Sequence, residues 1–146
     1  MKKQSVLFVC LGNICRSPAA EAIFLDLINK KGLNDSFIVD SAGTGSWHIG
    51  KKADTRMRIA SRKRGVEIFS RARQINSNDF EKFNYIVAMD DSNYENIIDM
   101  KSRKSLSDFA SIKKIQNFRS IFQEIEVPDP YFGGDEGFDN VLDILE

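Results

Sequence analysis

Two side chains near the start of the chain, the thiol of Cys10 and the guanidinium of Arg16, have the chemistry to act together on a phosphate group. A thiolate is a nucleophile, and positive surroundings stabilise it relative to the thiol. The planar fork of an arginine matches two oxygens of a phosphate. Five residues separate the two side chains, so one short segment carries both groups. The pair therefore predicts nucleophilic attack on a bound phosphate.

The residues around this pair predict a strand, a tight loop and a helix. Residues 6–9 are apolar and mostly β-branched or aromatic, which is typical of a buried parallel strand. Gly12 and Asn13 tolerate positive φ, so the loop can curl with its N–H groups pointing inward. Ser17 is predicted to cap the following helix, with Pro18 at the first helical position. Such a loop before a helix N-terminus is an anion site.

Further along the chain, apolar patterns and capping residues predict alternating strands and helices. Asp54 is expected to cap a helix that runs through Arg64 and stops at Gly65, and Asp90 or Asp91 is expected to cap another. This alternation argues for an α/β fold, a parallel sheet with helices on both faces. Strands are predicted at residues 5–9, 37–39, 85–89 and 115–118, helices after Ser17 up to Gly32, at 77–82 and at 136–145, and a loop at 41–50.

The complete run Cys-Leu-Gly-Asn-Ile-Cys-Arg-Ser-Pro, residues 10–18, resembles the signature of the low-molecular-weight protein tyrosine phosphatases. A second mark of that family, an Asp-Pro-Tyr run late in the chain, stands here at residues 129–131, and stretches at 40–43 and 89–93 also match. The resemblance covers almost the whole chain. It implies that Cys10 takes the phosphate of a phosphotyrosine, forming a phosphocysteine, so that the reaction proceeds in two steps.

The resemblance also implies a role for each catalytic residue. Cys10 would be the nucleophile, and Arg16 would hold two equatorial phosphate oxygens beside the N–H groups of the loop. Asp129 would be the general acid that protonates the leaving phenolate and then activates water. Without the resemblance, Asp129 reads as an ordinary Asp-Pro turn. The phosphate-binding loop would comprise Leu11, Gly12, Asn13, Ile14, Cys15, Arg16 and Ser17.

Three polar residues would support the loop. The family pattern implies that Asn13 holds a left-handed conformation and bonds Ser41, and that the Ser17 hydroxyl donates to the Cys10 thiolate. A helix cap alone would also explain Ser17, and Ser41 is equally compatible with an ordinary turn residue. Cys15 is a candidate redox partner that would form a reversible disulfide with Cys10, or else a small packed residue.

Three aromatic residues match positions that line the family's pocket mouth: Trp47, Tyr131 and Phe132. An aromatic wall suits a phenyl phosphate and would discriminate against the shorter phosphoserine, although each residue also fits a core. Phe132 departs from the tyrosine often found at its position. Ser70 stands where many relatives carry a histidine that supports the loop, so Asp90, often the partner of that histidine, would be only a helix cap.

Composition and the resemblance together predict the number of domains, the fold and the cellular compartment. The 146 residues predict one phosphatase domain, residues 1–146, and the resemblance implies a four-stranded parallel sheet in the order 2-1-3-4 with a flavodoxin-like three-layer architecture. The family's last helix usually continues beyond Glu146, so the chain is expected to be cut short. Two cysteines five apart favour a reducing cytoplasm over a disulfide scaffold, and no stretch approaches membrane-spanning length.

The expected partner is a tyrosine-phosphorylated protein or peptide, acted on by a monomer or weak dimer. One histidine and no clustered cysteines argue against catalytic zinc, and the mechanism requires no cofactor. Two rivals are an arsenate reductase of the same fold, which would need cysteines downstream of Cys15 that the sequence lacks, and a catalytically inactive phosphate-binding module.

Charge is unevenly distributed although the net charge is zero. Nine basic residues lie between Lys51 and Arg73, opposed only by Asp54 and Glu67, whereas residues 120–146 contain eight acids and no Lys or Arg. One interpretation is that these segments form two solvated faces or attract each other. Another is that part of the basic segment contacts acidic residues that flank a substrate phosphate. Nucleic-acid binding is not expected, because aromatic residues are not interleaved with the basic ones.

Overall fold

The computed structural model describes residues 3–106 and 109–115, which form a parallel four-stranded sheet in the order β2-β1-β3-β4 with helices packed on it. The predicted fold and strand order are confirmed. The elements are β1 (Gln4–Cys10), α1 (Arg16–Lys30), a 3₁₀ turn (Asn34–Ser36), β2 (Phe37–Gly43), α2 (Thr55–Lys63), α3 (Asp79–Lys82), β3 (Tyr85–Ala88), α4 (Asp91–Arg103) and β4 (Ser111–Lys114).

Strand β1 lies in the middle of the sheet and divides the core into two clusters. Val6 and Phe8 point to the α1 side, where Phe8 packs against Phe24 with ring centroids 5.8 Å apart. Leu7 and Val9 point to the other side and are completely buried. Cys10, its last residue, pairs with Gly43 of β2, and Val9 before it pairs with Ala88 of β3, so the end of β1 is held from both sides.

Helix α1 begins at Arg16, with Cys15 as the N-cap residue and no side-chain cap hydrogen bond. The prediction that Ser17 caps this helix is wrong, and Pro18 is its third residue rather than its first. The physical reason is that the Ser17 hydroxyl is engaged inside the preceding loop. Pro18 still fits, since the first turn of a helix needs no N–H partner there. The helix ends just before Gly32, whose φ is +69°.

The predicted bounds of two strands need correction. Strand β2 runs to Gly43 instead of residue 39, because it pairs with β1 from Gln4↔Phe37 to Cys10↔Gly43. Residues 41–43 are therefore strand rather than loop. Strand β4 occupies residues 111–114, in register with the four residues of β3, and Ile115 of the predicted strand follows it. Residues 116–118 lie outside the described part of the chain, as does the helix predicted at 136–145.

The other predicted elements agree with the structure in kind. Asp54 caps α2 by accepting a hydrogen bond from Arg56 N, and Asp90 caps α4 by accepting one from Asn93 N. Gly65 follows α2 with a φ of +81°. Within the two described ranges, no helix is long and apolar enough to cross a membrane.

Candidate active site

Three carbonyl groups of the segment that joins β1 to α1 point outward. Those of Cys10, Leu11 and Ile14 accept hydrogen bonds from backbone N–H groups of Thr44, Gly45 and Asp54, at 2.9, 2.9 and 2.7 Å. In a planar trans peptide, the C=O of one residue and the N–H of the next point in opposite directions. The following N–H groups, those of residues 11, 12 and 15, are therefore directed toward the inside of the loop.

Cys10 lies at the end of β1 with its sulfur inside this loop. The side chain is 3% exposed. Its Sγ accepts a hydrogen bond from Asn13 N at 3.2 Å and lies 3.0 Å from Ser17 Oγ. Hydrogen bonds donated to sulfur favour the thiolate, which is the nucleophilic form.

Asn13 holds the loop in its curled shape. Its φ is +58°, a left-handed conformation that asparagine adopts more readily than most residues. Its Nδ2 donates to Ser17 Oγ at 2.8 Å and to Ser41 Oγ at 2.9 Å, and its Oδ1 accepts from Arg73 N at 2.9 Å. The structure thus brings Asn13, Ser17 and Ser41 together, as the family resemblance implies.

Arg16 begins α1 and is 2% exposed. Its Nη1 donates to Oδ2 of Asp90, which lies at the carboxyl end of β3. The other oxygen of Asp90 accepts from Asn93 N at 2.7 Å. The expectation that Asp90 is only a helix cap is therefore wrong. Because β1 and β3 are parallel neighbours, the residues that follow them meet at one edge of the sheet.

Arg73 connects the irregular segment before α3 to the loop. Its guanidinium makes two hydrogen bonds to the carboxylate of Asp79, both at 3.0 Å, and one to Asp40 at 3.1 Å. Burial lowers the pKa of Arg73, but the hydrogen bonds and charges of Asp79 and Asp40 outweigh burial and raise it. The Arg73 carbonyl accepts from Gly43 N at 2.8 Å, so this segment joins β2 to Asn13.

Glu21, in the second turn of α1, also joins this network. Its Oε1 accepts a hydrogen bond from Ser41 Oγ at 2.6 Å. Burial raises the pKa of Glu21 above its ordinary value, and the charge of Asp40 raises it further. Hydrogen bonds from Ser41 and Ser70 and the charge of Arg73 act in the opposite direction without cancelling the shift.

The end of β2 and the residues that follow it pack against the loop. A Cβ on Gly43 would lie 2.7 Å from the carbonyl oxygen of Leu11, so only glycine fits at this crossing. Trp47 folds over Gly45 and is 67% exposed, which fits a residue at a pocket mouth better than a core aromatic. The His48 ring lies against Gly12, where an added Cβ would approach it to 3.0 Å.

The structure places part of the predicted site and leaves another part undescribed. Asp129, Tyr131 and Phe132 lie outside the described residues. Cys15 is buried and forms no disulfide in the described part of the chain. Among the described residues, no group of three or more His, Cys, Asp or Glu side chains could hold a metal ion.

Sequence reasoning missed the roles of Glu21, Asp90 and Arg73. The positions of two of these residues in the sequence could have indicated their roles. Glu21 lies four residues after Ser17 on the same helix face, and Asp90 follows the strand beside β1. Arg73 had no such indication, because the segment that carries it has no regular periodicity.

Comparisons with known proteins agree with this geometry. The family model described as low molecular weight phosphotyrosine protein phosphatase matches residues 5–146. The phosphatase of that name from Schizosaccharomyces pombe is 44% identical over 94% of this chain and 86% of its own length.

Two solved structures resemble the whole chain. A crystal structure of a protein tyrosine phosphatase from Entamoeba histolytica has a TM-score of 0.88 and 46% identity, covering 98% of this chain and 90% of that one. The crystal structure of a Drosophila arginine phosphatase has a TM-score of 0.89 and 36% identity, covering 99% and 90%. The family match spans nearly all of the sequence, and Cys10, Arg16 and the polar residues Asn13, Ser17 and Ser41 meet at one loop. The chain therefore belongs to the low molecular weight phosphotyrosine protein phosphatase family.

Proposed function

We propose that this enzyme hydrolyses phosphotyrosine in proteins and peptides, with Cys10 as the nucleophile. Membership of the family makes the chain a protein tyrosine phosphatase, a hydrolase of phosphate monoesters that acts through phosphocysteine. One observation supports the assignment of Cys10 above all others. Its sulfur lies inside a loop of inward N–H groups, 3.2 Å from Asn13 N and 3.0 Å from Ser17 Oγ.

The first chemical step is attack of the Cys10 thiolate on phosphorus. The S–P bond forms as the bond between phosphorus and the phenolic oxygen breaks, and the phosphate remains bound by the loop and Arg16. Charge on the equatorial oxygens is stabilised by the N–H groups and the guanidinium, which phosphoryl transfer chiefly requires. Water then cleaves the S–P bond, releasing inorganic phosphate and regenerating the thiolate.

Asp129 is the proposed general acid of this reaction. A phenolate leaves poorly unless it is protonated, and the same group can accept a proton from water in the second step. Pro130 after it restricts the backbone, which suits a side chain held on a bent loop. Trp47, Tyr131 and Phe132 are the proposed walls of the pocket, and their depth would favour phosphotyrosine over phosphoserine.

The assignment is tested by steady-state hydrolysis of para-nitrophenyl phosphate, a phosphotyrosine peptide and a phosphoarginine peptide. We expect activity on the first two, none in Cys10→Ser, and a decrease of about 10²–10⁴-fold in Asp129→Asn. An inactive wild-type enzyme, or one that prefers phosphoarginine, would contradict the proposal. Unchanged turnover in Asp129→Asn would remove that residue from the mechanism while leaving Cys10 in place.

Cys15 is proposed to protect Cys10 against irreversible oxidation by forming a disulfide with it. After peroxide treatment and reduction with dithiothreitol, the wild-type enzyme should recover its activity, and Cys15→Ala should not. Equal recovery in both proteins would exclude this role.

The phosphoprotein substrate is the one partner that family membership implies. We further propose that the enzyme works in the cytoplasm as a monomer or weak dimer. A reducing compartment suits a free catalytic thiol. Light scattering across a concentration series tests the oligomeric state, and a fluorescent fusion tests the location.

A further inference from the structure

Glu21 ends a chain of hydrogen bonds that starts at the nucleophile. Ser17 Oγ lies 3.0 Å from Cys10 Sγ and accepts from Asn13 Nδ2 at 2.8 Å. The same nitrogen donates to Ser41 Oγ at 2.9 Å. Ser41 Oγ in turn donates to Glu21 Oε1 at 2.6 Å. Four hydrogen-bonded contacts thus connect a carboxyl group on α1 with the sulfur.

The far end of this chain has a fixed direction. A carboxylate can only accept, so the single hydrogen of Ser41 points to Glu21. Ser41 Oγ must then accept from Asn13 rather than donate to it. Asn13 Oδ1 is already occupied by the N–H of Arg73, so the amide is held with its nitrogen toward the two serines. Glu21 and Arg73 therefore specify the orientation of the amide together.

The orientation of the Asn13 amide also determines the hydrogen bonds beside Cys10. Ser17 Oγ accepts from Asn13, which leaves its own hydrogen for another acceptor. The two candidates are Cys10 Sγ at 3.0 Å and the carbonyl of Ala42 at 3.3 Å. A thiolate is the closer acceptor and the only charged one, so the hydrogen bond to sulfur is favoured.

We propose that Glu21 is a positioning residue for the nucleophile: its carboxylate directs the hydrogen bonds through Ser41 and Asn13 so that the Ser17 hydroxyl donates to the Cys10 thiolate. The inference rests on the proposed function of Cys10 and deepens it. When Glu21 is protonated or replaced, Ser41 loses its charged acceptor, and the preference that orients the Asn13 amide weakens.

The surroundings of Glu21 make this role sensitive to pH. Burial raises its pKa, with Asp40 on β2 acting in the same direction. Ser41, Ser70 and the charge of Arg73 favour the carboxylate. The carboxyl therefore takes up a proton at a higher pH than an ordinary glutamate, and activity that depends on its charge is lost as pH falls through that value.

The experiment compares Glu21→Gln, Glu21→Ala, Ser41→Ala and the double variant Glu21→Ala/Ser41→Ala. The control is Asp26→Asn, which removes a carboxylate of the same helix that pairs with Lys30 instead. We expect kcat for para-nitrophenyl phosphate to fall about 3-fold in Glu21→Gln and about 10-fold in Glu21→Ala, with little change in KM. Asp26→Asn should match the wild-type enzyme.

Two further readouts separate positioning from a structural role. If Glu21 acts through Ser41, adding Glu21→Ala to Ser41→Ala should change kcat less than twofold; full additivity would overturn the proposal. The ratio of wild-type to Glu21→Gln activity should also approach one as pH falls. A ratio that stays constant across pH, or a Glu21→Ala variant that loses only thermal stability, would overturn it as well.

A readout independent of turnover distinguishes this inference from the proposed function. Alkylation of Cys10 by iodoacetamide, followed by fragment-ion mass spectrometry to separate it from Cys15, reports the thiolate directly. The midpoint pH of alkylation should move upward by about 0.5–1 unit in Glu21→Ala. An unchanged midpoint would overturn the role of Glu21, whether or not the enzyme hydrolyses phosphotyrosine.

Discussion

Arg16 carries a charge that is almost completely buried, and Asp90 is the carboxylate beside it. An uncompensated buried charge is costly, so we expect the ion pair to stabilise the fold. Asn is as good a helix cap as Asp, which allows the two roles of Asp90 to be separated. The variant Asp90→Asn should keep the cap of α4 and lose the ion pair.

We expect Asp90→Asn to lower the free energy of unfolding by about 1–3 kcal/mol, measured by urea denaturation. The matched control is Asp91→Asn, because the Asp91 side chain is 53% exposed and its pair with Lys114 lies at the surface. A surface pair contributes about 0–1 kcal/mol. Equal losses in the two variants would show that the ion pair with Arg16 contributes no more to the free energy of unfolding than a surface pair.

The raised pKa of Glu21 predicts a pH dependence of stability. The fold disfavours the charged carboxylate, so the stability that Glu21 contributes is full below its unfolded pKa of about 4.3 and is lost as pH rises through the higher folded value. The free energy of unfolding of the wild-type protein, minus that of Glu21→Gln, should therefore grow as pH falls from 7.5 to 4. Urea denaturation across this range checks the sign, and a difference that shrinks toward acid would contradict it. Stability and activity would then respond to this proton in opposite directions.

At the scale of residues, the sequence and its family resemblance predict the loop and the contacts among Asn13, Ser17 and Ser41, but not those of Glu21, Asp90 and Arg73. Cys10, Asn13 and Arg16 are close in sequence, so their types and spacing carry the geometry. Glu21 and Asp90 act through contacts that exist only after α1 and β3 have packed beside β1. For Ser17 the local sequence predicts a helix cap that the structure does not have. Its hydroxyl makes hydrogen bonds within the folded loop instead.

At the scale of elements, a short antiparallel ribbon, residues 50–52 with 70–72, adjoins the phosphate-binding loop. Lys52 pairs with Arg71 across the ribbon, and Ala72 N donates to Lys51 O at 2.8 Å. Both segments of the ribbon lead to a hydrogen bond with the loop. Asp54 N donates to Ile14 O after the first segment, and Arg73 N donates to Asn13 Oδ1 after the second. The ribbon is thus held a few residues from the loop that we propose binds phosphate.

Three exposed cations of this ribbon, Lys51, Lys52 and Arg71, have no carboxylate partner within the part of the chain that the structure describes. We therefore expect a phosphotyrosine peptide with flanking acidic residues to have a kcat/KM about 3–10 times that of a neutral peptide at low salt. The double variant Lys51→Glu/Lys52→Glu should abolish this preference, whereas Lys63→Glu, at the far end of α2, should retain it. High salt should weaken the preference. A preference that survives the double variant would exclude the ribbon as its source.

Strand bounds show why elements are only partly predictable. Residues 37–39 are the apolar part of β2 and were enough to predict a strand. Residues 40–43 are more polar, and they are extended because β1 offers hydrogen bonds as far as Cys10. The position of β4 likewise depends on its register with β3, which no local pattern contains.

At the scale of the whole molecule, phosphate binding should couple to global stability. A ligand that binds only the folded chain stabilises it by mass action, by about 2.7 kcal/mol at a hundred times its dissociation constant. We expect inorganic phosphate to raise the melting temperature of the wild-type protein and of Cys10→Ser, which keeps the loop and Arg16. The effect should be absent in Arg16→Ala. An equal increase in all three proteins would indicate a nonspecific salt effect.

The contact between Gly43 and the Leu11 carbonyl bears on how this enzyme can diverge. Even an alanine at this crossing would push β2 away from the loop, since its methyl group would lie 2.7 Å from that oxygen. Any divergence in substrate preference therefore has to use other positions, because a side chain here would separate the strand from the loop.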